Sequence, residues 1–112
     1  MTRKDRLKAL GHLVELIRDH DIARLQRLGA QRDQTQSKIE ALSRPKPLPE
    51  DPTVFAAQQA HARWAAHQRI QLNMVLAHET ALVLEQRRKT IRSFGRAQAI
   101  ARLKEGRASL RR

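Results

Sequence analysis

The chain has 112 residues, with 23 Lys and Arg against 11 Asp and Glu, a formal net charge of +12. It has no cysteine and no tyrosine, so disulfide frameworks, thiol nucleophiles and thiolate zinc sites are excluded, and the length allows one domain. The charge imbalance calls for an acidic partner: nucleic acid, an anionic membrane surface or an acidic protein surface.

The predicted elements are two long helices and one break. Residues 3–42 are rich in strong helix formers, and Thr2 with Asp5 forms a relative of the capping box at their start. The first helix is expected over about 3–43. Its apolar residues Leu7, Leu10, Val14 and Ile17 follow heptad spacing, after which Ile17, Leu28 and Ile39 recur every eleven residues. Asp21 and Thr35 stand where the heptad asks for apolar side chains, so the middle of this helix predicts a weak seam. All four prolines, Pro45, Pro47, Pro49 and Pro52, fall within eight positions and place a loop at about 44–52. Asp51 followed by Pro52 reads as the N-cap and first turn of a second helix, expected over about 53–110.

The second helix carries the stripe Ile70, Met74, Ala77, Ala81, Leu84 and Ile91, with Leu72, Val75, Leu76, Leu82 and Val83 on other faces. A helix apolar nearly all round asks for more cover than one partner supplies. The surplus face suits a docking protein, a thicker core or a homodimer. The fold expected is all-α, a long antiparallel two-helix coiled-coil hairpin. With a short loop centred near residue 47 or 48, residue i faces about 95 − i. Helix 1 then ends near Arg88, and helix 2 runs on as a C-terminal overhang of about 20 residues, roughly 30 Å. The apolar run from Ile70 to Leu84 is interrupted by Asn73, His78, Glu79 and Thr80 and is too short for a membrane span. The charged N-terminus does not read as a secretory signal, which points to a reducing cytoplasm.

The excess charge belongs to the chain ends. Residues 1–8 hold four basic residues and one acid, residues 86–112 hold ten and one, and residues 9–85 hold nine of each. A hairpin gathers these ends, making one cationic end on an otherwise neutral rod. Catalytic patterns are missing: His12, His20, His61, His67 and His78 form no metal-ligand pair at helical spacing, and Gly11, Gly29, Gly95 and Gly106 build no phosphate loop. No enzyme, cofactor or metal site is expected. Ile91, Phe94, Ala97, Ile100, Leu103 and Leu110 run through the basic segment and make it amphipathic, which suits a protein groove with an apolar wall and an acidic rim. Nucleic-acid binding is the alternative, although aromatic residues for base stacking are absent from the segment apart from Phe94.

The pattern Leu7-x-x-Leu10-x-x-Leu13, Ala23-Arg24-x-x-x-Leu28 and Ile39-Glu40-x-Leu42 resembles the first helix of the FliJ flagellar export family and its type III secretion counterparts. The stretch Phe94-Gly-Arg96-Ala97-x-Ala99-x-Ala101-x-Leu103 resembles that family's Arg/Ala-rich C-terminal helix. The resemblance implies a coiled-coil stalk similar to the ATP synthase gamma subunit, cytoplasmic and peripheral to the inner-membrane export apparatus. Its partners would be a hexameric export ATPase, the export gate and export chaperones. Under that resemblance Arg87, Arg88, Arg92, Arg96, Arg102 and Arg107 would meet acidic or carbonyl-lined walls. Ile91, Phe94, Ile100 and Leu103 would add apolar contact, and Leu72, Leu76 and Val83 would receive the gate or a chaperone.

Overall fold

The computed structural model describes residues 2–110, and side chains as far as Arg107. Arg111 and Arg112, counted in the basic C-terminal segment, and the side chain of Leu110 lie outside the described residues. The fold is an all-α helical hairpin. Helix α1 spans Arg3–Leu42 and helix α2 spans Pro52–Leu110, within a residue or so of expectation, and no strand forms among the described residues.

The helix ends are fixed by the residues expected. The Thr2 hydroxyl accepts a bond from the Asp5 amide at 3.1 Å, and the Asp5 carboxylate accepts one from the Thr2 amide at 3.2 Å, a reciprocal cap. These bonds favour the charged carboxylate and hold Asp5 below the usual aspartate range. Asp51 Oδ1 accepts from the Thr53 amide at 2.8 Å and opens α2, with Pro52 in the first turn, where no amide donor is needed. Ser43 closes α1 by turning its hydroxyl onto the Ile39 carbonyl at 2.8 Å.

The chain divides into two compact units: residues up to Leu28 with those from Leu82 on, and Gly29–Ala81. In the first unit α1 and α2 pair antiparallel with Gly11 beside Ile100 and Asp21 beside Thr90 and Ser93. These pairs sum to 111, 111 and 114, not to 95, so the expected register is displaced by about 16 to 19 positions. The overhang is corrected with it. Ser93 and Ala97 are buried, and Leu103 and Arg107 share a cleft with Arg3 and Leu7, so α2 beyond Arg88 is partnered by α1.

In the second unit Thr35 meets Glu79, a pair summing to 114. Its loop explains the shift. Residues 44–49 carry no regular secondary structure and lie along the first turns of α2, where Leu42, Pro45 and Leu48 line a hollow with Phe55, Ala62 and Ala65. Proline-rich chain climbs about 3.1 Å per residue, against about 1.5 Å in a helix. The nine residues 43–51 thus cover about 28 Å, the rise of some 18 residues of α2, and Leu42 comes level with about residue 70. The expected short loop is an extended strap.

This register chooses a different seam. On α1 the inward positions of the first unit are Leu7, Gly11, Val14, Asp21, Leu25 and Leu28, with Thr35, Ile39 and Leu42 continuing in the second. The spacing is heptad throughout, and the eleven-residue drift is not followed. On α2 they are Ala65, Leu72 and Leu76 in the second unit, then Val83, Gln86, Thr90, Ser93, Ala97 and Ile100 in the first. The stripe expected to face α1 is the outer one: Ile70, Met74, Leu84 and Ile91 are all exposed.

Mid-helix glycines leave stability unclaimed. Gly29 and Gly95 sit in helical backbone without positive φ, and a Cβ at either would meet nothing within 4 Å. Gly29→Ala and Gly95→Ala should each stabilise the protein by about 0.5–1 kcal/mol, read as a raised urea midpoint. Gly11 is different: the Lys104 side chain lies across it, and a Cβ there would overlap the ammonium end.

Candidate functional site

Charge is divided unequally between the units. Residues 2–28 and 82–110 hold 15 basic and 6 acidic residues, a net of +9, whereas residues 29–81 hold 6 and 5, a net of +1. The first unit is therefore the candidate site, and its two chain segments come from opposite ends of the sequence.

Of the residues expected to bind a partner, Arg87, Arg88, Arg92, Phe94, Arg96, Arg102 and Leu103 are exposed on α2, and Arg107 is half-buried. Arg18 of α1 stacks its guanidinium 5.8 Å from the centre of the Phe94 ring, which fixes that ring against α1. Ile100 is half-buried in the seam. In the second unit Leu72 and Leu76 are also half-buried seam residues. Val83 is 2% exposed and is core, so the docking role expected of it is withdrawn. The physical cause is the register: with the strap extended, Leu72, Leu76 and Val83 turn toward α1 and the Ile70 stripe turns outward.

The seam of this unit holds a polar layer. Asp21 accepts from the Ser93 hydroxyl and, at 3.3 Å, from Gln86 Nε2, while its backbone carbonyl accepts from Gln86 Nε2 at 3.1 Å and from the Thr90 hydroxyl at 3.3 Å. The Ser93 hydrogen bond is the main force holding the Asp21 carboxyl below the usual aspartate range. Partial burial opposes it, and Gln86, His20 and Arg96 add to it. Gln86, Thr90 and Ser93 are themselves buried, so three polar side chains of α2 are satisfied by one residue of α1.

Between α1 and α2 at the chain ends lies an open cleft of about 390 Å³ lined by Arg3, Arg6, Leu7, Leu10, Leu103 and Arg107. Leu10 is 42% exposed and Leu103 58%. The α1 half of this cleft, Arg3, Arg6 and Leu10, was missed by sequence reasoning, which laid helix 1 against the wrong part of helix 2. The signal was present: Leu10 and Leu13 are too many leucines for one heptad seam.

Among the described residues no group of three or more His, Asp and Glu could hold a metal ion, and no helix is long and apolar enough to cross a membrane. What the arrangement offers chemically is a cationic, partly apolar surface. Comparison with protein-family models, with curated proteins and with solved structures finds no match to this chain.

Proposed function

We infer that the protein is a non-enzymatic helical-hairpin stalk or adaptor of the flagellar or type III protein export apparatus. In this reading it works in the cytoplasm at the inner-membrane export complex and binds the hexameric export ATPase, the export gate or export chaperones. The observation that carries the reading is the concentration of charge: a net of +9 on the unit that joins the two ends of the chain, against +1 on the other. The resemblance of the Leu7–Leu13 and Phe94–Leu103 stretches to the FliJ family supplies the identity of the partners. Exposed Arg87, Arg88, Arg92 and Arg102 would face an acidic or carbonyl-lined wall, with Phe94 giving apolar contact. A gate or chaperone would meet the exposed Ile70, Met74 and Val75 rather than Leu72, Leu76 and Val83.

A pull-down of the cognate ATPase hexamer on the full chain tests this. Binding is expected at low salt, weakening as ionic strength rises because exposed charges are screened over about 10 Å at 0.1 M. Arg88→Glu with Arg102→Glu should weaken it at least about tenfold. No retention of the hexamer at low salt overturns the reading.

A further inference from the structure

Leu10 and Leu103, which line the cleft at the chain ends, each begin a heptad row along one side of the first unit. Seven residues on from Leu10, the same edge of α1 carries Ile17, and seven further Arg24. On α2, seven-residue steps back from Leu103 reach Arg96, Lys89 and Leu82. Each wall thus holds only Leu, Ile, Arg and Lys: Leu10, Ile17 and Arg24 on α1, and Leu103, Arg96, Lys89 and Leu82 on α2. No acidic residue occurs in either row, and none lines the cleft. The opposite side of the same unit is different. Its hollow over Gly11 is lined by Glu15 and Glu105, and Asp5 and Asp19 lie on that side of α1 by the same count. The remaining acids are Asp21, held in the seam, and Glu85, which lies 3.7 Å from Lys89.

We propose that this predominantly basic side, where Glu85 beside Lys89 is the one acid among the described residues, is a groove for one acidic amphipathic helix of a protein partner, which packs into it as a third helix. Two helices that leave Leu10, Leu13 and Leu103 half in water present a floor that a third apolar stripe would cover. Arg3, Arg6 and Arg107 at the end and Arg24, Lys89 and Arg96 along the walls fix the sign of that helix's flanks as negative. A second copy of this chain brings the same +9 and is repelled. Nucleic-acid phosphates would satisfy the arginines but leave the leucines wet. The two walls face each other from Leu10 and Leu103 to Arg24 and Lys89, 14 residues along each helix, so an occupant of about three heptads covers the groove with about one turn over at each end. The proposal shares with the export reading only that this unit meets protein. Its test uses no export component, so either can fail alone.

The probe is a labelled synthetic helix of about three heptads with a Leu/Ile stripe and Glu flanks. Its Lys-flanked twin, duplex DNA of similar length and anionic vesicles serve as competitors. With the full chain at low salt, fluorescence anisotropy should show micromolar binding of the Glu helix, at least about tenfold tighter than the twin or DNA, and vesicles should not displace it. Leu10→Ser with Leu103→Ser should weaken binding about tenfold with the circular dichroism unchanged, since both side chains are exposed. Arg3→Gln with Arg107→Gln should do the same through the rim. The proposal is overturned if the Glu helix fails to bind at about 100 µM, if DNA or vesicles compete it away, or if the leucine pair has no effect.

Discussion

Val83→Asp should unfold the hairpin or nearly so, while Met74→Asp should leave its stability unchanged within about 0.5 kcal/mol. Val83 is 2% exposed in the seam, and Met74 is 71% exposed on the outer stripe of the same helix. A carboxylate at a position this buried loses its hydration, at a cost of about 4 kcal/mol. That is a large share of the roughly 5–15 kcal/mol that stabilises a domain. Met74 faces water, and the same charge there is solvated. The pair discriminates between registers. If the Ile70–Ile91 stripe faced α1, Met74→Asp would be the damaging change. Urea midpoints of the two variants decide the matter, and equal losses would reject the seam described above.

The second large effect is expected at Asp21. Asp21→Ala removes the carboxylate that accepts from Ser93 and Gln86 and leaves the Ser93 side chain, 1% exposed, without its partner across the seam. A hydrogen bond to a charged group contributes about 1.5–3 kcal/mol, and Asp21 is only partly buried, so a loss of about 2 kcal/mol is expected at pH 7. The effect has a pH signature. The folded carboxyl has a lowered pKa, so the folded state binds its proton less readily than the unfolded chain does. The stabilisation is complete above the ordinary aspartate value of 3.8 and is lost as pH falls through the lower folded value. The gap between wild type and Asp21→Ala in urea midpoint should therefore narrow below about pH 4. A gap that stays constant down to pH 2 would show that the charge of Asp21 contributes nothing.

Much of the fold was readable from residue types. Proline placement bounded the helices to within a residue or so, because the lost amide donor and the ring clash act locally. The Thr2–Asp5 and Asp51–Pro52 caps were readable for the same reason. The register was not, because it depends on the path of the loop and on polar residues that pair only once the helices are aligned. Asp21 and Thr35 look like flaws in an apolar seam when α1 is read alone. Beside Ser93, Gln86 and Glu79 they are members of it. Apolar count favoured the Ile70 stripe over one that contains Gln86, Thr90 and Ser93, and the count misled since hydrogen bonds made across the seam offset the missing carbon. The cationic character of the site was legible in the charge tally. Its α1 half, Arg3, Arg6 and Leu10, was hidden by the register error.

The extended strap also acts as a gear. Each residue added to or removed from the nine between the helices moves α1 along α2 by about two helical residues, because extended chain travels twice as far per residue as helix. A heptad seam re-forms only after a slip of about seven residues, so loop lengths that change by about three or four are the next ones to restore knobs to holes. Even there Asp21 would lie against Val83 after a shortening or Ala97 after a lengthening, a carboxylate on a buried apolar side chain in either case. Loop length is thereby held to one value by chemistry some 25 residues away in the sequence, in a segment that by itself looks free to vary.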